Sequence, residues 1–121
     1  MDWIKVGSFF MFLAVALGAF GAHALRSKLS PYDLEIYKTA VLYHFIHGLA
    51  LFVVAWLSTQ TTDSRIYLAG IFFVAGILFF SGSLYTLAVT HIKWLGAITP
   101  LGGLSFLIGW VLIFLISFPK K

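Results

Sequence analysis

Four long apolar runs, separated by short polar stretches, make up almost the whole chain. They cover residues 4–25, 36–57, 66–90 and 95–118. Each is near the roughly 20 residues that a helix needs to cross about 30 Å of hydrocarbon. The separators are brief: Arg26 to Ser30, Ser58 to Arg65 (STQTTDSR), and His91-Ile92-Lys93-Trp94. Apolar segments of this length joined by short links predict an all-α, integral membrane four-helix bundle running up-down-up-down, with both termini at one end. The 121 residues form one four-span transmembrane domain, with its midpoint at the polar Ser58–Arg65 turn.

Local signals sharpen the second run. Ser30-Pro31-Tyr32-Asp33 reads as a helix start, with serine as N-cap, proline at the first helical position and an acid two residues later. Asp33, Glu35 and Lys38 keep its first turns at headgroup level, and the part inside the membrane begins near Thr39. Tyr37, Ala40, His44, His47 and Leu51 then recur with the helical period and define one face. In the first run Ala14, Gly18 and Ala22 are spaced by four, with Gly21 beside them. Small residues at that spacing let helix backbones approach closely in lipid. Gly82, Gly102, Gly103 and Gly109 are further packing candidates. Pro100, near the start of the fourth run, is expected to kink or loosen that helix, with neighbouring helices covering any freed carbonyls.

Composition agrees with the pattern. Hydrophobic residues make up 61% of the chain and charged residues only 10%, and the mean hydropathy is +1.02. A soluble domain this short has too little interior to hide that much apolar surface. The net charge of +4 comes from eight basic residues against four acidic ones, placed at the span ends as membrane anchors. No basic run interleaved with aromatics points to nucleic acid. Lys5, Arg65, Lys120 and Lys121 fall at the end with the termini, and Arg26, Lys28, Lys38 and Lys93 at the other. The positive-inside rule is therefore tied; only if Lys38 packs inside the bundle does it tip towards cytoplasmic termini. Ala22-His23-Ala24 imitates a signal-peptidase site, but the apolar run before it is longer than a usual signal core. It is read as a retained span.

Depth bookkeeping places most intramembrane polar groups in one leaflet, away from the termini. His23 ends the first span there. Tyr43, His44 and His47 lie on the second, Ser81, Ser83, Tyr85 and His91 on the third, and Thr99 and Pro100 on the fourth. Three readings compete. The groups act as hydrogen-bonded glue between helices; they form a site for a small molecule, ion or proton, since ionisable groups inside spans default to function; or His23, His44, His47 and His91 supply metal or haem ligands, as facing helices in bundles do. The metal reading is the weakest of the three, because no carboxylate lies deep in a span and no cysteine exists. Hydrolytic catalysis has less support, since no acid at depth is available to orient a Ser–His pair. No catalytic residue is assigned, no cofactor is identified, and an enzyme is disfavoured.

Five blocks carry a family resemblance: Leu17-Gly18-Ala19-Phe20-Gly21-Ala22-His23-Ala24-Leu25, Tyr43-His44-Phe45-Ile46-His47, Phe80-Ser81-Gly82-Ser83-Leu84-Tyr85, Thr99-Pro100-Leu101-Gly102-Gly103 and Phe106-Leu107-Ile108-Gly109-Trp110. Together, and in this order, they resemble the YgdD/YwdK-like small membrane proteins, the domain of unknown function 423. The resemblance covers essentially the whole chain. It implies four spans in the inner or plasma membrane, and signature positions at His23, His47, Ser81 to Tyr85, and Thr99-Pro100. It implies no substrate, cofactor or reaction. The resulting expectation is a non-enzymatic protein whose one-sided polar cluster binds a ligand or partner helix, with self-association through the Ala14/Gly18/Ala22 face. The alternatives are an oligomeric channel or transporter for small solutes, ions or protons, and a haem or metal-binding bundle.

Overall fold

A computed structural model describes residues 1–120; Lys121, counted above among the charges beside the termini, lies outside the described residues. Helix α1 (Trp3–Phe20) starts where the Asp2 side chain accepts a hydrogen bond from the Lys5 N–H, and continues through a π turn at Gly21–Leu25. Helix α2 (Pro31–Gln60) starts where Ser30 Oγ accepts from the Asp33 N–H at 3.1 Å, as its capping sequence predicts. The third span is α3 (Arg65–Gly76), a π turn at Ile77–Ser81, and α4 (Gly82–Thr90). A 3₁₀ turn at Lys93–Ala97 leads into α5 (Thr99–Phe114). The four spans are long and apolar enough to cross a membrane. The chain is an all-α membrane bundle.

Lengths explain how the spans sit. With 30 residues, α2 extends for about 45 Å, more than the hydrocarbon core, so its first turns stand among headgroups. Lys38 is exposed there, not packed inside the bundle, and the charge tie stands. In contrast α5 has 16 residues and ends at Phe114, short of the expected Phe118. Pro100 does not kink it. The proline occupies the first helical turn, where its missing N–H is one of the donors that would lack an intrahelical partner anyway.

The helices are not equivalent. In the most apolar window of each span, 44% is buried in the second and third but 22% in the first and fourth. The second and third spans therefore form the spine, α1 packs along α2, and α5 packs along α3. The predicted face of α2 is the buried one: Tyr37, Ala40, His44, His47 and Leu51 are each at most 3% exposed. Between the spans, Phe73, Leu51 and Val54 have no accessible surface, and Trp3, Phe10, Ile66 and Phe106 join them in the same core. Large residues such as Phe12, Trp56, Leu107 and Phe114 face outward, where lipid receives them without penalty.

Small residues admit large partners. Ala14 is fully buried, so the face expected to drive self-association is partly spent inside the chain. A Cβ on Gly21 would collide with the Tyr37 ring, one on Gly70 with Trp3, and one on Gly109 with Phe73. Gly102 differs in kind, because a Cβ there would overlap the backbone of Phe79 and Phe80. Here α5 meets the main chain of the third span, at its π turn. Gly82 has no such role: an added Cβ would meet only the Ile77 carbonyl oxygen, at 3.9 Å.

At the end with the termini, a polar clasp was hidden in what reads as a plain turn. Asp63 accepts hydrogen bonds from Arg65 Nε at 2.9 Å, from Arg65 Nη2 at 2.6 Å and from the Ser117 N–H at 2.9 Å. Thr61 Oγ1 donates to the Ser117 carbonyl at 2.9 Å. The Arg65 hydrogen bonds, with those from the Ser117 and Arg65 main chain, hold the Asp63 carboxyl well below the usual carboxylate range. A carboxyl lowered in the folded state contributes stability above its unfolded value of 3.8, and that contribution disappears as pH falls through the folded value. Asp63→Asn should therefore lower the thermal midpoint in detergent at pH 7, and the difference from wild type should vanish in strong acid. Equal midpoints at pH 7 would show that the clasp contributes nothing.

Candidate functional site

Histidine chemistry in this chain is divided among separate places. His47, on the buried face of α2, is held at both nitrogens. Nδ1 lies 2.7 Å from the Tyr43 carbonyl one turn earlier, and Nε2 lies 3.0 Å from Trp110 Nε1 on α5. A carbonyl only accepts and an indole N–H only donates, so Nδ1 carries the proton and Nε2 accepts from Trp110. The ring is thus a neutral imidazole in one defined tautomer, with both nitrogens occupied. It also stacks on Phe106, with centroids 3.5 Å apart and planes inclined by 11°.

His44 points another way. Its Nδ1 is 2.9 Å from the Tyr85 hydroxyl on α4. Its Nε2 is buried without a hydrogen-bond partner among the described residues. Phe10 and Tyr85 flank the imidazole edge-on. Tyr85 in turn packs against Tyr37, whose hydroxyl donates to the Leu17 carbonyl. This set ties the first, second and third spans together.

The serines act between helices. Ser81 Oγ donates to the Ala40 carbonyl at 2.8 Å, and Ser105 Oγ to the Phe72 carbonyl at 2.7 Å. The Ser83 and Thr99 hydroxyls are hydrogen-bonded to each other at 2.6 Å. The π turn at Ile77–Ser81 sets this geometry: an extra residue in the turn rotates Ser81 onto α2 while bringing Phe80 towards α5.

The remaining histidines lie apart from these. His23 is exposed at the end of the first span and has no hydrogen bond among the described residues, so it does not join Ser81 to Tyr85. His91 caps α4 with φ 60°, in the left-handed region, and its Nε2 is 2.7 Å from the Asp33 carboxylate at the start of α2. Among the described residues, no three potential ligand side chains gather as a metal would require. The expected single cluster is therefore several local ones, with His44 and not His47 facing Tyr85. Trp110 is the partner that polar bookkeeping missed, because an indole counts as apolar until its N–H finds an acceptor.

One lateral groove adjoins this machinery. It opens between α2 and α5, has a volume of about 680 Å³, and is lined by Tyr43, His47, Phe80, Pro100, Gly103, Phe106 and Trp110 among others. Tyr43 stacks near Phe80 and Phe106, with centroid distances of 4.6 and 6.2 Å. Four aromatic side chains and an imidazole thus surround a space that is open sideways. A second groove, of about 570 Å³, lies between α1 and α2 and contains Gly18, Gly21, Ala22 and Tyr37.

Comparison with known proteins agrees with the four spans and their sequence blocks. The family model described as "Protein of unknown function (DUF423)" matches residues 17–103. The chain is 49% identical over 112 residues to the UPF0382 membrane protein YwdK of Bacillus subtilis, covering 92% of this chain and 91% of that protein. It is 45% identical over 116 residues to a UPF0382 membrane protein of Staphylococcus aureus, bovine strain RF122, covering 96% and 94%. A Staphylococcus haemolyticus relative of the same description is 43% identical with the same coverage. No solved structure matches the chain. With a family match over most of its length and near-complete relatives at this identity, the chain belongs to the DUF423 family of small membrane proteins of unknown function.

Proposed function

We propose that the protein is a non-enzymatic binder of a flat, largely apolar small molecule, held in the lateral groove between α2 and α5 within the plasma membrane. The carrying observation is the wall of that groove: Tyr43, Phe80, Phe106 and Trp110 around a His47 whose tautomer is fixed by its neighbours. Its volume of about 680 Å³ lies within the range of about 300–1,000 Å³ usual for small-molecule sites. Aromatic walls favour stacking on a planar group, and the lateral opening admits a ligand already dissolved in lipid. The hydrogen bonds around it keep the walls rigid, which reconciles the glue reading with the binding one. Conduction through a single chain is disfavoured, because Phe73, Leu51 and Val54 fill the interior.

Gly103 supplies the test. A Cβ there would sit 3.7 Å from the Phe80 ring, an ordinary contact, so a larger side chain extends into the groove without disturbing the bundle. Wild-type protein in detergent should bind a short-chain alkyl naphthoquinone at 1:1 with quenching of tryptophan fluorescence. Gly103→Leu should weaken that binding at least about tenfold, a change of about 1.4 kcal/mol, with unchanged helicity. Equal binding by both proteins, or none by wild type, would remove this reading.

A further inference from the structure

The groove between α1 and α2 differs in chemistry from the aromatic one. Its floor is the Tyr37 ring, which occupies the space left by Gly21. Gly18 and Ala22 form one wall and Val41 and Phe45 the other. The lower part is therefore an apolar surface groove running over the α1–α2 contact, where a Cβ on Gly18 would already touch Val41 and Phe45 at 3.4 and 3.5 Å. At the end away from the termini, Arg26 and Lys38 line the same cavity. Arg26, just beyond the π turn of the first span, has no carboxylate partner among the described residues. Lys38 has only an exposed contact with Glu35 at 3.7 Å, of the kind that contributes little and yields to a stronger anion.

Both cations belong at headgroup level, since Arg26 closes a membrane-length helix and Lys38 sits in the second turn of the overlong α2. An apolar slot that leads from the bilayer interior to a lysine and an arginine matches the two halves of a negatively charged lipid. We propose that this groove is a specific site for one anionic glycerophospholipid, with its phosphate between Arg26 and Lys38 and an acyl chain along Gly18, Ala22 and Phe45. The guanidinium offers paired donors to phosphate oxygens and the ammonium a mobile point charge. Charge complementarity selects the lipid class, and the slot distinguishes a seated lipid from the general annulus. Lys93 stands at the same end but lines a different cavity with Asp33 and His91, so it serves as an internal control.

The test is native mass spectrometry of delipidated protein titrated with phosphatidylglycerol or with phosphatidylcholine of identical acyl chains. Wild type should retain one phosphatidylglycerol with at least about tenfold preference, given the attraction of each basic residue for anionic lipid. Arg26→Gln/Lys38→Gln, at exposed positions, should lose that preference but keep weak binding of both lipids, while Lys93→Gln keeps it. Gly18→Leu, which fills the slot, should lose the retained lipid altogether. Equal retention of the two lipids by wild type, a preference that survives in the double variant, or one that falls equally in Lys93→Gln would overturn the site. So would a wild-type dimer that Gly18→Leu dissociates, which would make the occupant a second copy of the chain.

Discussion

Gly102→Ala should destabilise the folded bundle by about 1–3 kcal/mol, as read by reversible unfolding in mixed micelles, while Gly103→Ala should be nearly neutral. The two glycines are adjacent on α5 and differ by one methyl group's surroundings. At Gly102 a Cβ would overlap the Phe79–Phe80 main chain; at Gly103 it would rest 3.7 Å from the Phe80 ring. A ring can move, but a backbone inside a packed helix cannot move without breaking its own hydrogen bonds. Overpacking of that kind typically costs about 1–3 kcal/mol. Lipid offers no hydrophobic force to press the helices back together, since association in the bilayer rests on close packing. The Ser83–Thr99 hydrogen bond spans the same contact and should weaken with it. Equal costs for the two alanine variants would show that α5 does not approach the third span as closely as described.

The second large effect is the loss of the His47–Trp110 bond, which either partner's replacement breaks. Trp110→Phe keeps an aromatic wall but leaves Nε2 of a 3% exposed imidazole without a donor. An unsatisfied buried acceptor costs about 1–3 kcal/mol, and hydrogen bonds between membrane helices contribute about 0.6–2 kcal/mol. His47→Phe should cost a comparable amount. Phenylalanine preserves the stack on Phe106, but the indole N–H it abandons belongs to a residue that is 40% exposed to lipid, which offers no acceptor. A double-mutant cycle on the pair should return a coupling of about 1 kcal/mol. Additive costs would mean that the hydrogen bond does not fix the ring, and with it the tautomer argument for the groove would fail.

The bundle class, the capped start of α2 and its buried face were legible because each rests on a local rule. An apolar run of bilayer length must satisfy its own backbone, and so becomes a helix. Ser30 and Pro31 act on the turn that contains them, and the spacing from Tyr37 to Leu51 is a property of one helix. The division of labour between His44 and His47 was not legible. Their neighbours Tyr85 and Trp110 lie 41 and 63 residues away, and which ring meets which donor depends on helix rotation. The Asp63 clasp was missed for the same reason, since Ser117 is 54 residues distant. His23 looked like part of the polar cluster because it shares its depth, but depth along a helix does not say which side a residue faces.

By itself, the sequence determined that this chain is a bundle of four apolar, membrane-length helices, where the second helix begins, and which face of it is buried. Tertiary structure decided which polar groups meet, that two π turns re-aim residues along the first and third spans, and where grooves open between helices. The physical reason is one of range. Hydrophobic length, capping and periodicity act within a few residues along the chain. Rotation, close approach at Gly102 and the partner of each imidazole are settled only when separate helices pack against one another.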